Sequence, residues 1–398
     1  MPSRERATQI DRAADGEAGS VPPRSAIPVL HLTSVHGSND TRIYHRECRA
    51  LTEAGYRTLL LTADPGPGPE PPGYATVRSI ELPGVRLGRA VLGAWRLRGQ
   101  AIASRARLIH LHDPELLALT PGLRRRGIRV VYDAHEDLVE QIQEKPWIPG
   151  WLRGAVAAVT AWLLPRLTRR LDGVVAATPD IAERHAGSRV VVVRNFPVLS
   201  ELAPPEGASG LADRPPRAIY MGAVLTVTRG ALEMADAAAL VASEMPFELA
   251  LAGRFLPSEL EDAVRSRAGD ATLTVLPELG REGVRAALAS SRVGLVIEHP
   301  TTAYLRSLPV KMFEYMAAGL PIVASDFPLW RGIVEGAGCG ILVDPRDPSA
   351  VAEAIRGLLR DPADAEAMGA RGRTAAVERY DWAHEARTLT GLYEELLR

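Results

Sequence analysis

The chain has 398 residues, 46% of them hydrophobic, a formal net charge of -1 and a pI near 6.8. That length exceeds one ordinary domain and supplies apolar material for two cores. The near-neutral balance argues against nucleic acid as a partner, because dedicated binders are usually basic.

Residues 1–25 are polar and charged, lack the apolar core of a secretion signal, and read as a disordered tail. No apolar run approaches the roughly 18 residues of a membrane span. The two cysteines, Cys48 and Cys339, make neither a disulfide scaffold nor a four-ligand zinc site, so a reducing cytoplasm is expected. From Ile27 onward short apolar runs alternate with amphipathic stretches, the pattern of parallel sheets covered by helices. IPVLHLT (27–33) reads as a strand, followed by the polar loop HGSND (36–40) and a helix that stops at Gly55. RTLLLT (57–62) is the next strand, and the Pro- and Gly-rich stretch Asp64–Gly73 is a loop. RLIHLH (107–112) follows, with Asp113 as a helix cap and Pro114 at the first helical position. IRVVYD, the helical region Trp147–Leu171, GVVAAT with the cap pair Thr178 and Pro179, and RVVVV (189–193) complete a first unit spanning 26–195.

Residues 196–216 are proline-rich and read as a linker. The same rhythm then restarts over 217–375, with strands RAIYM, FELALA, TLTVL, VGLVI, PIVAS and GILV. The expected fold is therefore α/β: two doubly wound Rossmann-like domains facing each other across a cleft. Ligands of such sheets sit beyond the carboxyl ends of strands. Neither GxGxxG nor GxxxxGK[ST] occurs after a strand, which argues against a dehydrogenase or a P-loop enzyme.

The most informative segment is HPTTAYLRSLPVKMFEYMAAGLPIVASD (299–326). Pro309 opens a helix, so Lys311 falls in its first turn, where a cation opposes the helix dipole by roughly 0.3–1 kcal/mol. A bound anion would reverse that cost, since helix amino ends and a lysine together make a phosphate site. Glu314, three residues on, shares a face with Lys311 and could accept hydrogen bonds from a sugar's hydroxyl pair. Spacing alone equally allows a solvated surface ion pair worth about 0–1 kcal/mol. In the first unit, Gly37 lies in the loop after the first strand, and Arg42 and His45 lie on the helix behind it. His135, Glu136 and Asp137 follow a strand end, where ligands bind or a histidine is simply structural. The stretch Trp147–Leu171 combines apolar residues with Arg153, Arg166, Arg169 and Arg170. It is expected either to pack on the sheet, with Pro165 kinking it, or to touch an anionic membrane.

The segment 299–326 resembles the donor-binding region of GT-B glycosyltransferases, in particular retaining family 4 enzymes. Further resemblance lies in NDTRIYHRECRALTEAGY (39–56), HLHDPELLAL (110–119), VVYDAHED (130–137), VVAATPDIAERH (174–185), YMGAVLTVTRG (220–230) and DFPLWRGIVEGAGCGILVDPRDP (326–348). It runs from about Ile27 to the final residues. The resemblance implies that Glu314 holds the donor's ribose hydroxyls. Lys311 and the backbone around Ser307, Leu308, Pro309 and Val310 would hold the diphosphate, with Arg229 and the loop at Gly222 also on phosphate. It places Gly37 near the diphosphate, His135 beside the transferred sugar, and Arg42, His45 and Glu136 on the acceptor side. It also implies that residues 376–398 form a helix crossing back to the first domain. Two departures stand out. Arg306 occupies the position, eight before Glu314, where the family often carries a glutamate, and Ala223 stands where many members have a second basic residue.

The implied reaction moves a sugar from a nucleoside diphosphate sugar to a hydroxyl of a saccharide, lipid-linked or natural-product acceptor. Anomeric configuration is retained, and no further cofactor and no metal take part. No ligand cluster with metal spacing is visible in the sequence. The expected location is cytoplasmic, with peripheral contact at the inner membrane face left open. Two alternatives also stay open: a non-catalytic GT-B subunit supporting a partner transferase, and a nucleotide-sugar epimerase on the same fold.

Overall fold

A computed structural model of the chain describes residues 27–62, 73–80, 94–144, 148–202 and 210–398. The tail 1–25, nearly all of the loop Asp64–Gly73 and the middle of the linker lie outside the described residues. The first sheet contains β1 (Pro28–Leu32), β2 (Arg57–Thr62), β3 (Thr76–Ser79), β4 (Leu108–Leu111), β5 (Arg129–Ala134), β6 (Gly173–Ala176) and β7 (Val190–Val192). Its order is β3-β2-β1-β4-β5-β6-β7, all parallel. The second contains β8 (Arg217–Leu225), β9 (Glu248–Phe255), β10 (Thr272–Leu276), β11 (Val293–Val296), β12 (Ile322–Ser325) and β13 (Gly340–Val343), ordered β10-β9-β8-β11-β12-β13.

The central strands β4, β6, β11 and β12 are buried at every residue. That is why they read as continuous apolar runs: helices cover both faces of a parallel sheet. Strand order reverses between β1 and β4 and again between β8 and β11, so each sheet has a switch point where a crevice opens.

α1 (Leu138–Glu144) borders the cleft with α2 (Gly150–Thr168) packed against it, α3 (Thr302–Arg306) and α4 (Val310–Ala317) border it from the second sheet, and α5 (Trp382–Leu397) returns to the first sheet. α5 does not pack on the second sheet that precedes it. Trp382, Leu389, Leu392 and Tyr393 are buried with Val29, Val131 and Val175 of the first sheet. The backbone therefore passes between the sheets twice, and the two passes are tied together. Trp382 N donates to Pro197 O at 2.9 Å and Arg194 N to Glu385 Oε2 at 2.8 Å. Phe196, Phe313 and Tyr380 close the crossing as an aromatic trio, with centroids 4.8–5.3 Å apart.

Two local expectations are refined and one, the Asp113 cap, is corrected. The helix after β1 begins as a π-helical stretch, Ile43–Cys48, before continuing as Arg49–Glu53. Asp113 does precede a helical turn opened by Pro114, but its carboxylate does not cap that turn. It reaches instead to the loop after β1, accepting from Thr33 Oγ1 at 2.8 Å and Ser34 N at 2.6 Å. α2 runs unbroken through Pro165 and buries only Ala157, Leu164 and Thr168. Trp151 is 81% exposed, Val159 60% and Trp162 57%, so this apolar helix turns much of its surface away from the sheet. Trp147, at the start of the expected stretch, lies outside the described residues. Among the described residues, no helix is long and apolar enough to cross a membrane.

Candidate active site

Between the carboxyl ends of the two sheets lies a cavity of about 730 Å³. Its second-sheet wall is built from the loop joining α3 to α4, the end of β8, and Glu298 just past β11. Thr301 caps α3 by accepting from Tyr304 N at 3.2 Å, and the indole of Trp330 donates to Ser307 O at 2.8 Å, fixing the turn before α4. Ser307, Leu308, Pro309 and Val310 all line the cavity, with Pro309 as the cap residue of α4.

Lys311 projects from that first turn into the same wall. Its ammonium donates to Glu298 Oε1 and to Tyr220 Oη, both at 2.8 Å, and lies 4.0 Å from the Tyr220 ring centre. Burial pulls its pKa down, but the Tyr220 hydroxyl and the Glu298 carboxylate outweigh that and hold the amine protonated. The surface pairing with Glu314 that spacing allowed does not form, because a closer, buried carboxylate claims the lysine. Glu298 and Tyr220 escaped the sequence reading. The available signal was a carboxylate directly after the strand run VGLVI.

Glu314 lies one turn along α4, and its carboxylate accepts no hydrogen bond among the described residues. Burial raises its pKa, while Arg46, Arg281 and Lys311 oppose that rise. It presents open acceptor positions to the cavity. Arg229 closes the short turn Val227–Arg229; its guanidinium donates to Val224 O at 2.9 Å and Tyr304 Oη at 3.2 Å, beside Gly222. Gly222 lies not in a loop but at a bulge of β8, between Met221 and Val224, pressed against β9: a Cβ on Gly253 (φ +130) would sit 1.9 Å from Gly222 O, so only glycine permits that approach. Ala223 lines the cavity beside Gly222. Arg306 also lines it, but its guanidinium reaches across to Glu140 of α1 at 2.5 Å.

On the first-sheet side, His135 lies 3.2 Å from Asp133 Oδ2 and borders the cavity. Burial opposes its protonation, but Asp133 raises the pKa overall. Glu136 is exposed at the rim and bonded to Gln141. Asp137 caps the start of α1 and is held by Arg184 at 2.5 Å. His36, packed edge-on to His135, sits 3.3 Å from Asp40 and 3.6 Å from Asp113.

Three candidates are not brought to the cavity wall. Arg42 is buried, with Nε and Nη2 at 2.9 and 2.8 Å from the Asp133 carboxylate and Nη1 donating to Val193 O at 3.0 Å. It ties β5 to the end of β7, because a buried guanidinium takes the nearest carboxylate. His45 turns away to Asn39 Oδ1 at 2.6 Å. Gly37 accepts from Asp40 N at 3.2 Å within its own turn. Thr41 and Arg46 border the cavity in their place. Arg46 was overlooked; it is fully buried, bonded to Asn195, and its pKa falls to about 10, chiefly through burial. It follows Arg42 by one helical turn, and nothing in the sequence separates the structural arginine from the one at the cavity.

The chain matches two family models. Residues 41–196 match "Glycosyltransferase Family 4" and residues 215–361 match "Glycosyl transferases group 1". The chain belongs to glycosyltransferase family 4. Among this family-4 chain's relatives, the phosphatidyl-myo-inositol mannosyltransferase of Mycobacterium leprae (strain TN) is 34% identical over 136 residues, covering 34% of this chain and 35% of that one. The enzyme of the same name from Mycobacterium tuberculosis (strain H37Rv) is 25% identical over 301 residues, covering 72% and 73%. The chain thus spans about a third of the first relative's length. Among solved structures, sucrose-phosphate synthase from Thermosynechococcus elongatus superposes with a TM-score of 0.72 at 18% identity, covering 93% of this chain and 99% of that one. HepE of Anabaena, solved with UDP and glucose, gives 0.67 at 15% identity, covering 93% and 100%. These structures share the GT-B fold of this family-4 chain: two parallel α/β sheets facing a common cleft.

Proposed function

We propose that this protein transfers a sugar from a nucleoside diphosphate sugar to a hydroxyl acceptor, with retention of anomeric configuration and no metal in the step. One observation carries this reading: Lys311, Arg229 and the first turn of α4 converge on the cavity that Glu314 also faces. An ammonium has three N–H donors, and Lys311 uses two on Glu298 and Tyr220. The third is left for a phosphate oxygen. As the glycosidic bond breaks, negative charge grows on the departing diphosphate. Fixed cations and N–H groups aimed at it need no reorganisation and supply the main catalytic stabilisation. The leaving phosphate can take the acceptor's proton on the same face, so no protein base is required. Glu314 accepts the ribose hydroxyl pair, and His135 lies near the transferred sugar.

The acceptor we propose is lipid-linked and presented at a membrane surface. α2 exposes Trp151, Val159 and Trp162 beside Arg166, a combination suited to an anionic interface. The named mannosyltransferase relatives support this choice. A lipid-linked acceptor implies a cytoplasmic, peripheral location.

The test is Glu314→Gln, which keeps side-chain volume but replaces the charged acceptor. Titration calorimetry with UDP, GDP and dTDP first identifies the base, and the variant should then bind that nucleotide at least about tenfold more weakly, as expected for lost charge-assisted hydrogen bonds. Equal affinity in variant and wild type would remove the ribose role.

A further inference from the structure

β1 and β4 pair in register so that His31 lies beside His110, and His112 follows two residues on, on the same face. Glu47 of the π-helical stretch Ile43–Cys48 descends onto these three rings, and all four side chains are completely buried. Glu47 Oε2 lies 3.8 Å from His31 Nδ1, 3.8 Å from His110 Nδ1 and 4.0 Å from His112 Nε2. His31 Nδ1 and His112 Nε2 are 2.9 Å apart. Among the described residues, neither oxygen of Glu47 receives a hydrogen bond. Its other oxygen is 3.1 Å from Arg42 Nε, but that N–H is committed to Asp133. A bare carboxylate in a dry core is costly unless a proton or a cation joins it.

We propose that His31, His110, His112 and Glu47 form a structural site for a divalent transition-metal ion, zinc by its donor set. Metal–nitrogen and metal–oxygen bonds of about 2.0–2.2 Å put tetrahedral ligand atoms roughly 3.4 Å apart. The four separations given above, 2.9–4.0 Å, bracket that value and all four ligand atoms lie within 4.8 Å of one another, so closure takes side-chain shifts of up to about 1 Å. Outer partners are already in place for two of the imidazoles. His112 Nδ1 faces Asp133 Oδ2 at 3.2 Å, leaving its Nε2 lone pair inward. His31 Nε2 faces Tyr393 Oη at 3.4 Å, leaving its Nδ1 inward. Such outer hydrogen bonds fix the tautomer of metal-bound histidines. The ion replaces the His31–His112 contact and the 2.9 Å contact between Tyr393 Oη and His110 Nδ1. Burial lowers the pKa values of His31, His110 and His112, which keeps these rings neutral and able to ligate. Four protein ligands and no exposure leave no open position for substrate, so the ion is structural and takes no part in sugar transfer. The rival occupant is a proton on Glu47, whose pKa is raised by burial and by Asp133.

Because no ligand reaches solvent, the ion enters during folding. The full-length chain, made without a polyhistidine tag, is assayed for metal by mass spectrometry as purified. It is then unfolded with a chelator and refolded with or without zinc. The expected result is about one zinc per chain in purified and zinc-refolded protein. Refolding without metal should give a lower yield and a lower unfolding midpoint. Refolding with cobalt should give the absorption bands of a tetrahedral site, which needs no variant. Glu47→Gln should refold with clearly less bound metal than wild type. Folded wild-type protein without metal after both routes, or metal content unchanged in Glu47→Gln, would overturn the site and leave the proton in place.

Discussion

His36 carries a charge at neutral pH that an isolated histidine would largely lack. Burial opposes protonation, but the bond to Asp40 and the charge of Asp113 dominate and raise its pKa to about 9. Its unfolded value is near 6.5. A raised folded pKa contributes stability that is fully present below the unfolded value and is lost as pH rises through the folded one. Thermal stability of the wild type should therefore fall between about pH 6.5 and 9, and His36→Gln should lose part of that dependence. Identical profiles would show that the pair with Asp40 contributes nothing to folding. The same residue-level physics explains what the sequence concealed. The resemblance pointed to Lys311 and Glu314, which both line the cavity, whereas their spacing alone also allowed a surface ion pair. Their true partners, Glu298, Tyr220 and Arg46, come from elements far away in sequence and are chosen by burial, which spacing does not encode.

Among the elements, strands such as β4 and β11 were legible because burial on both faces leaves an uninterrupted apolar run. α2 was ambiguous for the same reason in reverse. An apolar helix can pack on a sheet or face a lipid surface, and only the folded chain shows Trp151 and Trp162 outside. The histidine cluster was illegible because only the i,i+2 pair His110 and His112 is local, while His31 on β1 and Glu47 on the stretch after it join them through strand register and packing. For α2, the double variant Trp151→Ala, Trp162→Ala should bind anionic phospholipid vesicles about tenfold or more weakly in sedimentation, while circular dichroism and the unfolding midpoint stay the same. Undiminished vesicle binding would place the membrane contact elsewhere.

At the scale of the molecule, the ion pair between Arg306 and Glu140 spans the cleft. Both groups meet solvent, Arg306 at 53% exposure, so the pair is worth no more than about 1 kcal/mol. That is enough to bias an opening equilibrium without affecting folding. Arg306→Glu sets like charges across the gap and should enlarge the radius of gyration measured by solution scattering without nucleotide. Saturating nucleoside diphosphate should shrink it again, and the unfolding midpoint should hardly move. An unchanged radius would mean that this contact does not govern closure. The seat of α5 has a different consequence. The first sheet begins to be made early, yet the helix that seals Val29, Val131 and Val175 is translated only after the entire second sheet. On the ribosome the amino-terminal half therefore cannot cover that apolar face with α5 until the last residues of the chain have been made.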